Sequence, residues 1–339
     1  MKKRSVLYVL SVLWVLFCSA FVSPDAFGAE IKNFIMIGWD GAGWNNVSKL
    51  LAEGRLPNLQ KFVTTGGGQI CPMEILERTW TAPSWAMAFT GFGQDFHGVN
   101  GNESHLSPKV DLPDITKFTW TWGFQNLAVW VKQIPYNWTI FNHIGKLGYT
   151  TGVFASKYWF FSKEPTATPL AEIMSHVKVH KNYLVHNDLK DGLDPYVRIM
   201  TDDVLDFLKT NNKFFLFVLY DPDQFGHWRG EASERYHQEF VRCDEQFGRI
   251  LAAIDRKKTK VLLMNDHGFN PNSRSHSQAP DGWLATDLPI HPLYAAQPGK
   301  QVAWATIRDV PYTILKWYGI DPKSLPVNVP MMRGKDLLE

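Results

Sequence analysis

Cysteine is scarce in this chain. Three stand among its 339 residues, and one of them, Cys18, lies in the apolar N-terminal stretch. Cys71 and Cys243 remain, enough for one disulfide at most and too few for a cysteine-stapled fold. Cys18 follows Val15-Leu16-Phe17, a bulky run where a lipoprotein leader needs a small residue, so it is not read as a lipid anchor. An excess of charge of one sign is also missing, with 35 basic residues against 33 acidic ones. Loss of residues 1–29, which carry three basic residues and Asp25, would bring the formal charge from +2 to zero. No polyanion-binding surface follows from that balance, and no nucleic-acid polymer is expected as a partner. Internal repeats and low-complexity segments are absent. What is there, 45% hydrophobic and 20% charged positions, suits one large domain with a buried sheet.

The N-terminus runs from Met1-Lys2-Lys3-Arg4 through an apolar stretch, Val6 to Val22, to the small residues around Ala26-Phe27-Gly28-Ala29. That order is an export signal over residues 1–29, with an uncleaved anchor as the alternative. The expectation is a periplasmic or secreted protein that contacts membrane only if this segment is retained. Residues 30–339 are read as a single catalytic domain, with insertions near 103–142 and 162–194 where tryptophan, proline and irregular patterning replace any clean period.

Three apolar runs, Phe34–Ile37, Phe214–Leu219 and Val261–Met264, have the composition of central strands covered on both faces. Helical patterns lie between and beyond them, at Asn46–Glu53, Met200–Leu208, Glu231–Ile254 and Ile307–Tyr318. This alternation predicts a doubly wound α/β architecture with its ligand crevice at the carboxyl ends of the strands.

Each of the three runs leads at once into acidic or histidine residues: Asp40, then Asp223 with His227, then Asp266 with His267. With His276 they make three carboxylates and three imidazoles, the ligand supply that two zinc-like ions need. Singly, such an Asp is a turn or cap residue and such a His a packed side chain. Jointly they argue for bound metal, because three adjoining carboxylates repel one another unless cations are present. Asp223 and His227 are read as lying in a Gly-containing loop. Thr81 can serve as N-cap of a helix with Pro83 in its first turn, so that an anion held near the Thr81 hydroxyl would meet the helix's positive end.

On these residues the chain resembles the type I phosphodiesterase and nucleotide pyrophosphatase group of the alkaline phosphatase superfamily. The resembling segments are Ile37–Gly41, Arg55–Leu59, Thr81–Gly91, His97–Val99, Pro222–His227 and Asp266–Phe269, with a closing helix near Thr306–Leu315. The resemblance implies an alkaline-phosphatase-like three-layer sandwich, with a mostly parallel central sheet and helices on both faces. It implies two divalent ions, expected to be zinc: Asp40, Thr81, Asp266 and His267 would hold one, and Asp223, His227 and His276 the other. Asn102 would steady the phosphoryl oxygens, and His97 would be structural. His276 follows His267 by only nine residues, closer than in nucleotide pyrophosphatases, and His291 is the lesser substitute. The sulfatase pattern of Cys or Ser, x, Pro, x, Arg is absent, so a formylglycine nucleophile is not expected.

The reaction implied is attack by the Thr81 hydroxyl on a small phosphate ester or diester, through a phosphothreonine intermediate that water hydrolyses. Alternatives on the same site are a phosphonate hydrolase, a phosphomonoesterase or a phosphoryl transferase, and outside catalysis a phospho-ligand-binding protein. Lys157, Lys163 and His180 are candidate phosphate contacts from the insertions. The sequons at Asn46, Asn102 and Asn137 matter only in a glycosylating host.

Overall fold

Alternate residues of the first strand enter different cores. In β1 (Asn33–Trp39), Phe34 and Met36 pack on one side of the sheet while Ile35, Ile37 and Trp39 pack on the other. A strand buried on both faces must be covered by two layers, and the computed structural model shows them. It describes residues 33–97, 99, 101–102, 139–155, 179–182, 194–295, 302–324 and 334–338.

Around β1 lie β2 (Gln69–Glu74), β3 (Thr150–Ala155), β4 (Val179–Asn182), β5 (Lys213–Leu219), β6 (Thr259–Met264), β7 (Asp281–Thr286) and β8 (Ala305–Thr306). They form one sheet in the order β4-β3-β5-β1-β6-β7-β2-β8. Pairing is parallel except where β7 runs antiparallel to β6 and to β2. The helices among the described residues are α1 (Trp44–Ala52), α2 (Pro57–Thr64), α3 (Thr81–Thr90), α4 (Gln94–His97), α5 (Ile140–Lys146), α6 (Asp194–Phe207), α7 (Asp221–Arg229), α8 (Glu234–Ala253) and α9 (Asp309–Trp317). Helices α3, α5 and α9 cover one face, and α1, α2, α6 and α8 the other. The three-layer α/β sandwich inferred from sequence is the observed one. No helix among the described residues is long and apolar enough to cross a membrane.

Two details show how sequence segments act as joints between layers. Arg55–Leu59 enters α2 with Pro57 at its first position. No side chain of its own caps the helix. Instead Asp244 of α8 accepts from Asn58 N–H at 2.9 Å and Leu59 N–H at 2.7 Å, tying two helices of one layer together. All ten residues of α3 are buried, seven of them apolar and the other three the short polar Thr81, Ser84 and Thr90.

Several sequence-based boundaries shift, each for a local reason. Asp223 and His227 stand on a helix, α7, because Pro222 takes its first turn and the helix then runs to Gly230. The long helix begins at Glu234 rather than Glu231, since Ser233 is its N-cap and accepts from Tyr236 N–H at 3.2 Å. The stretch 162–194, read as irregular, contains β4, a four-residue edge strand too short to show a period. Helices α1, α6 and α9 end within two residues of expectation, α6 beginning earlier at Asp194 and α9 later at Asp309. Cys71 and Cys243 are free and buried in opposite layers, so the single disulfide the count allowed does not form. The leader, residues 103–138, Lys157, Lys163 and Asn137 lie outside the described residues, and of His180 only the backbone is described. Asn46 is buried between Glu231 and His237, bonded at 2.7 and 2.9 Å, which makes its sequon inaccessible.

His97 closes α4 and is buried, its Nδ1 accepting from Val99 N–H at 3.0 Å. Burial, reinforced by the Arg308 charge, lowers its pKa from 6.5 to about 3. Between those values the unfolded chain takes up a proton that the native state refuses, so stability falls as pH drops through this window, by about 1.4 kcal/mol per pH unit from this group. Urea unfolding of metal-free protein at pH 4, 5 and 6 should show that slope, and His97→Gln should flatten it; parallel slopes for the two proteins would refute the assignment. Asp244→Ala should separately lower stability by about 2–3 kcal/mol, because two N–H groups at the start of α2 lose their acceptor. An unchanged urea midpoint would show that water replaces the cap.

Candidate metal centre

Strands β5, β1 and β6 are adjacent and parallel, so their carboxyl ends deliver side chains to one place. Asp40 follows β1, Asp223 lies in the first turn of α7 after β5, and Asp266 with His267 follows β6. On α7 the four-residue spacing of Asp223 and His227 puts both on one face. His276 arrives from the loop before β7, anchored reciprocally by Thr79: the Thr79 hydroxyl donates to the His276 carbonyl, and His276 Nδ1–H donates to the Thr79 carbonyl at 2.6 Å.

The turn at Asp40-Gly41 demands glycine. Gly41 has φ +72°, and a Cβ there would stand 2.8 Å from Asp223 Cα. Its N–H donates to Asp266 Oδ1 at 3.1 Å, and its carbonyl accepts from the Tyr236 hydroxyl at 2.6 Å. The backbone of one residue therefore fixes Asp266 through its N–H and is clamped by α8 through its carbonyl. Asn265 braces the next turn, donating to the His267 carbonyl at 2.8 Å and accepting from Trp283 N–H at 2.8 Å.

The donor atoms converge. His267 Nε2 lies 3.5 Å from Asp40 Oδ1, 3.5 Å from Asp266 Oδ2 and 3.3 Å from Thr81 Oγ1. Asp223 Oδ1 lies 3.5 Å from His227 Nε2 and 3.6 Å from His276 Nε2, and those two nitrogens are 3.1 Å apart. Ligands about 2.0–2.2 Å from one tetrahedral ion stand about 3.3–3.6 Å from each other, so these distances, apart from the shorter His227–His276 edge, are those of a coordination shell. His267 Nε2 also comes within 4.8 Å of the Asp223 and His276 donors, but at 3.8 Å from Asp223 it is nearer to Asp40 and Asp266. The shorter edges place it with the latter pair.

The tautomers decide what these donors can bind. His227 Nδ1 contacts the Arg274 carbonyl at 2.8 Å, His267 Nδ1 the Gly268 carbonyl at 3.0 Å, and His276 Nδ1 the Thr79 carbonyl. A carbonyl only accepts, so each Nδ1 carries a proton, and a neutral ring held this way turns an Nε2 lone pair inward. Burial, then the neighbouring His267, lowers the His276 pKa to about 3, which keeps its ring neutral. Three lone pairs facing three buried carboxylates is a set that fits divalent cations, with the second-shell pattern of metal-bound histidine. Asp40, Asp223, Asp266 and His267 are fully buried, whereas the His227 side chain is 40% exposed and stands at the mouth.

Of the residues singled out from sequence, Asp40, Thr81, Asp223, His227, Asp266, His267 and His276 come together. His291 does not: it is exposed, and its Nδ1 accepts from Leu293 N–H. Thr81 is the first residue of α3 and not its cap. Trp80 occupies the cap position without a side-chain bond, and Asn102 Oδ1 instead accepts from Ala82 N–H at 3.0 Å. The sequence reading missed Thr79, Tyr220, Tyr236 and Asn265, which hold or flank the donor groups. The one sequence signal for Thr79, Tyr220 and Asn265 is position, close to Thr81 or at a strand end; Tyr236, inside α8, has none.

Gly41→Ala would force an alanine into left-handed backbone and drive its methyl against Asp223. Zinc affinity, measured by competition with a chromophoric chelator, should fall by about tenfold or more. Unchanged affinity would show that the turn tolerates a Cβ and does not position the carboxylates.

No curated protein sequence matches the chain significantly. Among solved structures it is similar to the lipoteichoic acid synthase LtaP from Listeria monocytogenes, with 13% identity and TM-score 0.55 over 94% of this chain and 78% of that one. A protein of the alkaline phosphatase superfamily from Vibrio parahaemolyticus gives 14% identity and TM-score 0.55 over 92% and 71%. Alkaline phosphatase from the Antarctic bacterium TAB5 gives 15% and 0.52 over 87% and 99%. At these identities the likeness establishes the fold, which is alkaline-phosphatase-like. The type I phosphodiesterase / nucleotide pyrophosphatase family model matches residues 34–318. That match takes in the whole sheet from Phe34 onward together with Thr81, Asn102 and every converging donor, and the chain belongs to this family of phosphoric ester hydrolases.

Proposed function

We propose that the protein is an exported two-metal phosphodiesterase with Thr81 as its nucleophile. The observation that carries this reading is the inward turn of three Nε2 lone pairs, each enforced by a backbone carbonyl, onto three buried carboxylates beside a buried threonine hydroxyl. Asp40, Asp266, His267 and Thr81 would hold one ion, and Asp223, His227 and His276 the other. The softness and geometry of the nitrogen and oxygen donors suit zinc. Bound divalent ions would supply charge neutralisation for the carboxylates and the phosphoryl group, and would lower the pKa of a hydroxyl or water.

The chain's own residues supply the rest. Thr81 Oγ1, at the first turn of α3, forms a bond to phosphorus as the bond from phosphorus to the ester oxygen breaks, and the hydroxyl proton leaves with the departing alcohol. Water then breaks the Oγ1–P bond and restores the hydroxyl. The α3 N-terminus favours the anion. Asn102, its Oδ1 engaged by Ala82 N–H, offers its Nδ2 hydrogens to a phosphoryl oxygen. The partner is a small phosphate ester or diester. The basic, apolar and small-residue order of the first 29 residues supports export to the periplasm or medium, with membrane contact only where that segment is retained.

Hydrolysis of bis-p-nitrophenyl phosphate should exceed that of p-nitrophenyl phosphate in zinc-loaded protein lacking residues 1–29. Thr81→Ala should lower the diester rate on the order of 10³-fold or more, and chelation should abolish it. Retention of the wild-type rate by Thr81→Ala would remove threonine from the mechanism, and a preference for the monoester would favour a phosphomonoesterase.

A further inference from the structure

One phenol beside the donor set has no part in the chemistry described above. Tyr220 is the first residue after β5 and occupies the cap position of α7, with φ −85° and ψ −11°. Its carbonyl accepts from Gln224 N–H at 3.2 Å, which locks it to the helix that carries Asp223 and His227. Its hydroxyl hydrogen-bonds the Asp223 carboxylate, three residues on in the same turn, while Asp40 and Asp221 act on it only through their charge.

Three nitrogens, from His227, His276 and His267, lie 3.5, 3.6 and 3.8 Å from one oxygen of Asp223, its Oδ1. A carboxylate can turn about its Cβ–Cγ bond, and a quarter turn would carry Oδ1 out of that set. Something must oppose the turn. A phenol donating from the same helical turn does so, since the carboxylate cannot rotate without losing that bond.

We infer that Tyr220 is a positioning residue for the Asp223–His227–His276 half of the centre, fixing the orientation in which Asp223 presents Oδ1 to the imidazoles. The inference rests on the two-ion reading above. It separates the two halves: Asp266 is oriented through the Gly41 peptide and Tyr236, whereas Asp223 is oriented through Tyr220. Hydrogen-bond partners of ligating carboxylates typically alter metal affinity by 10–100-fold when lost.

Tyr220→Phe keeps the ring and removes only the hydroxyl. Zinc binding to the protein lacking residues 1–29 would be followed by competition with a chromophoric chelator, alongside His276→Ala as the marker of the affected half. Wild type should bind two ions. In Tyr220→Phe the step that His276→Ala abolishes should weaken by about 10–100-fold, while the other step changes by less than about twofold. The melting temperature of the chelated proteins should be the same. Excess zinc should restore kcat on bis-p-nitrophenyl phosphate with KM unchanged. Equal weakening of both steps with a lower metal-free melting temperature would make Tyr220 a structural residue and overturn the inference. So would two wild-type affinities in the variant. A wild type that binds fewer than two ions would overturn the two-ion reading and this inference with it.

Discussion

A neutral imidazole whose Nδ1–H donates to a peptide carbonyl presents a lone pair from Nε2, and His227, His267 and His276 all have Nδ1 held in this way. The carbonyls belong to Arg274, Gly268 and Thr79, so backbone geometry sets which ring nitrogen carries the proton. Two such nitrogens 3.1 Å apart, from His227 and His276, repel unless a cation stands between them. The same holds for the carboxylates of Asp40, Asp223 and Asp266, gathered in a volume closed to water. The local order of the centre, and the stability of the loops that build it, are thus coupled to cation binding.

The sheet makes this crowding possible. Asp40, Asp223 and the Asp266-His267 pair come from three separate parts of the sequence, yet β5, β1 and β6 are neighbours in register. Packing Phe34 and Met36 into one core and Ile35 and Ile37 into the other holds those strand ends rigidly. The functional side chains then need only short connections. Gly41 lies against Asp223, and Tyr236 reaches across from α8 to clamp the Gly41 peptide. A site built on strand ends in this way is pre-formed, and preorganised electrostatics of this kind is what phosphoryl transfer requires of a protein.

Much of this was legible in the sequence because both faces of the central strands are buried. Phe34–Ile37, Phe214–Leu219 and Val261–Met264 announce themselves as unbroken apolar runs, and the acids that end them follow from chain order alone. What stayed illegible has physical causes. The helix carrying Asp223 and His227 has no apolar face to give a period, since Asp221, Pro222, Asp223 and Gly226 are buried on account of the site and not of hydrophobicity. β4 shows four residues of edge strand with nothing to alternate. The Asp244 cap on α2 and the Tyr220 and Tyr236 contacts join residues far apart in sequence or on one short turn, where no spacing rule applies.

The most instructive misreading concerns Thr81. A threonine two residues before a proline at a helix start satisfies every rule for an N-cap, and the structure places it one residue inside the helix instead. A cap hydroxyl accepts a hydrogen bond from the helix's own N–H groups, which would turn its lone pairs away from any ligand. At the first helical position the hydroxyl is released from that duty and lies 3.3 Å from His267 Nε2, among the metal-ligand candidates. The helix still needs an acceptor for its second N–H, and Asn102, twenty residues on, supplies it through Oδ1. The proposed nucleophile and the cap are therefore two different residues, and the Asn102 amide is brought to the same helix end. Local propensity is overridden at Thr81, and the compensating bond that Asn102 Oδ1 accepts sets a second polar group beside the Thr81 hydroxyl.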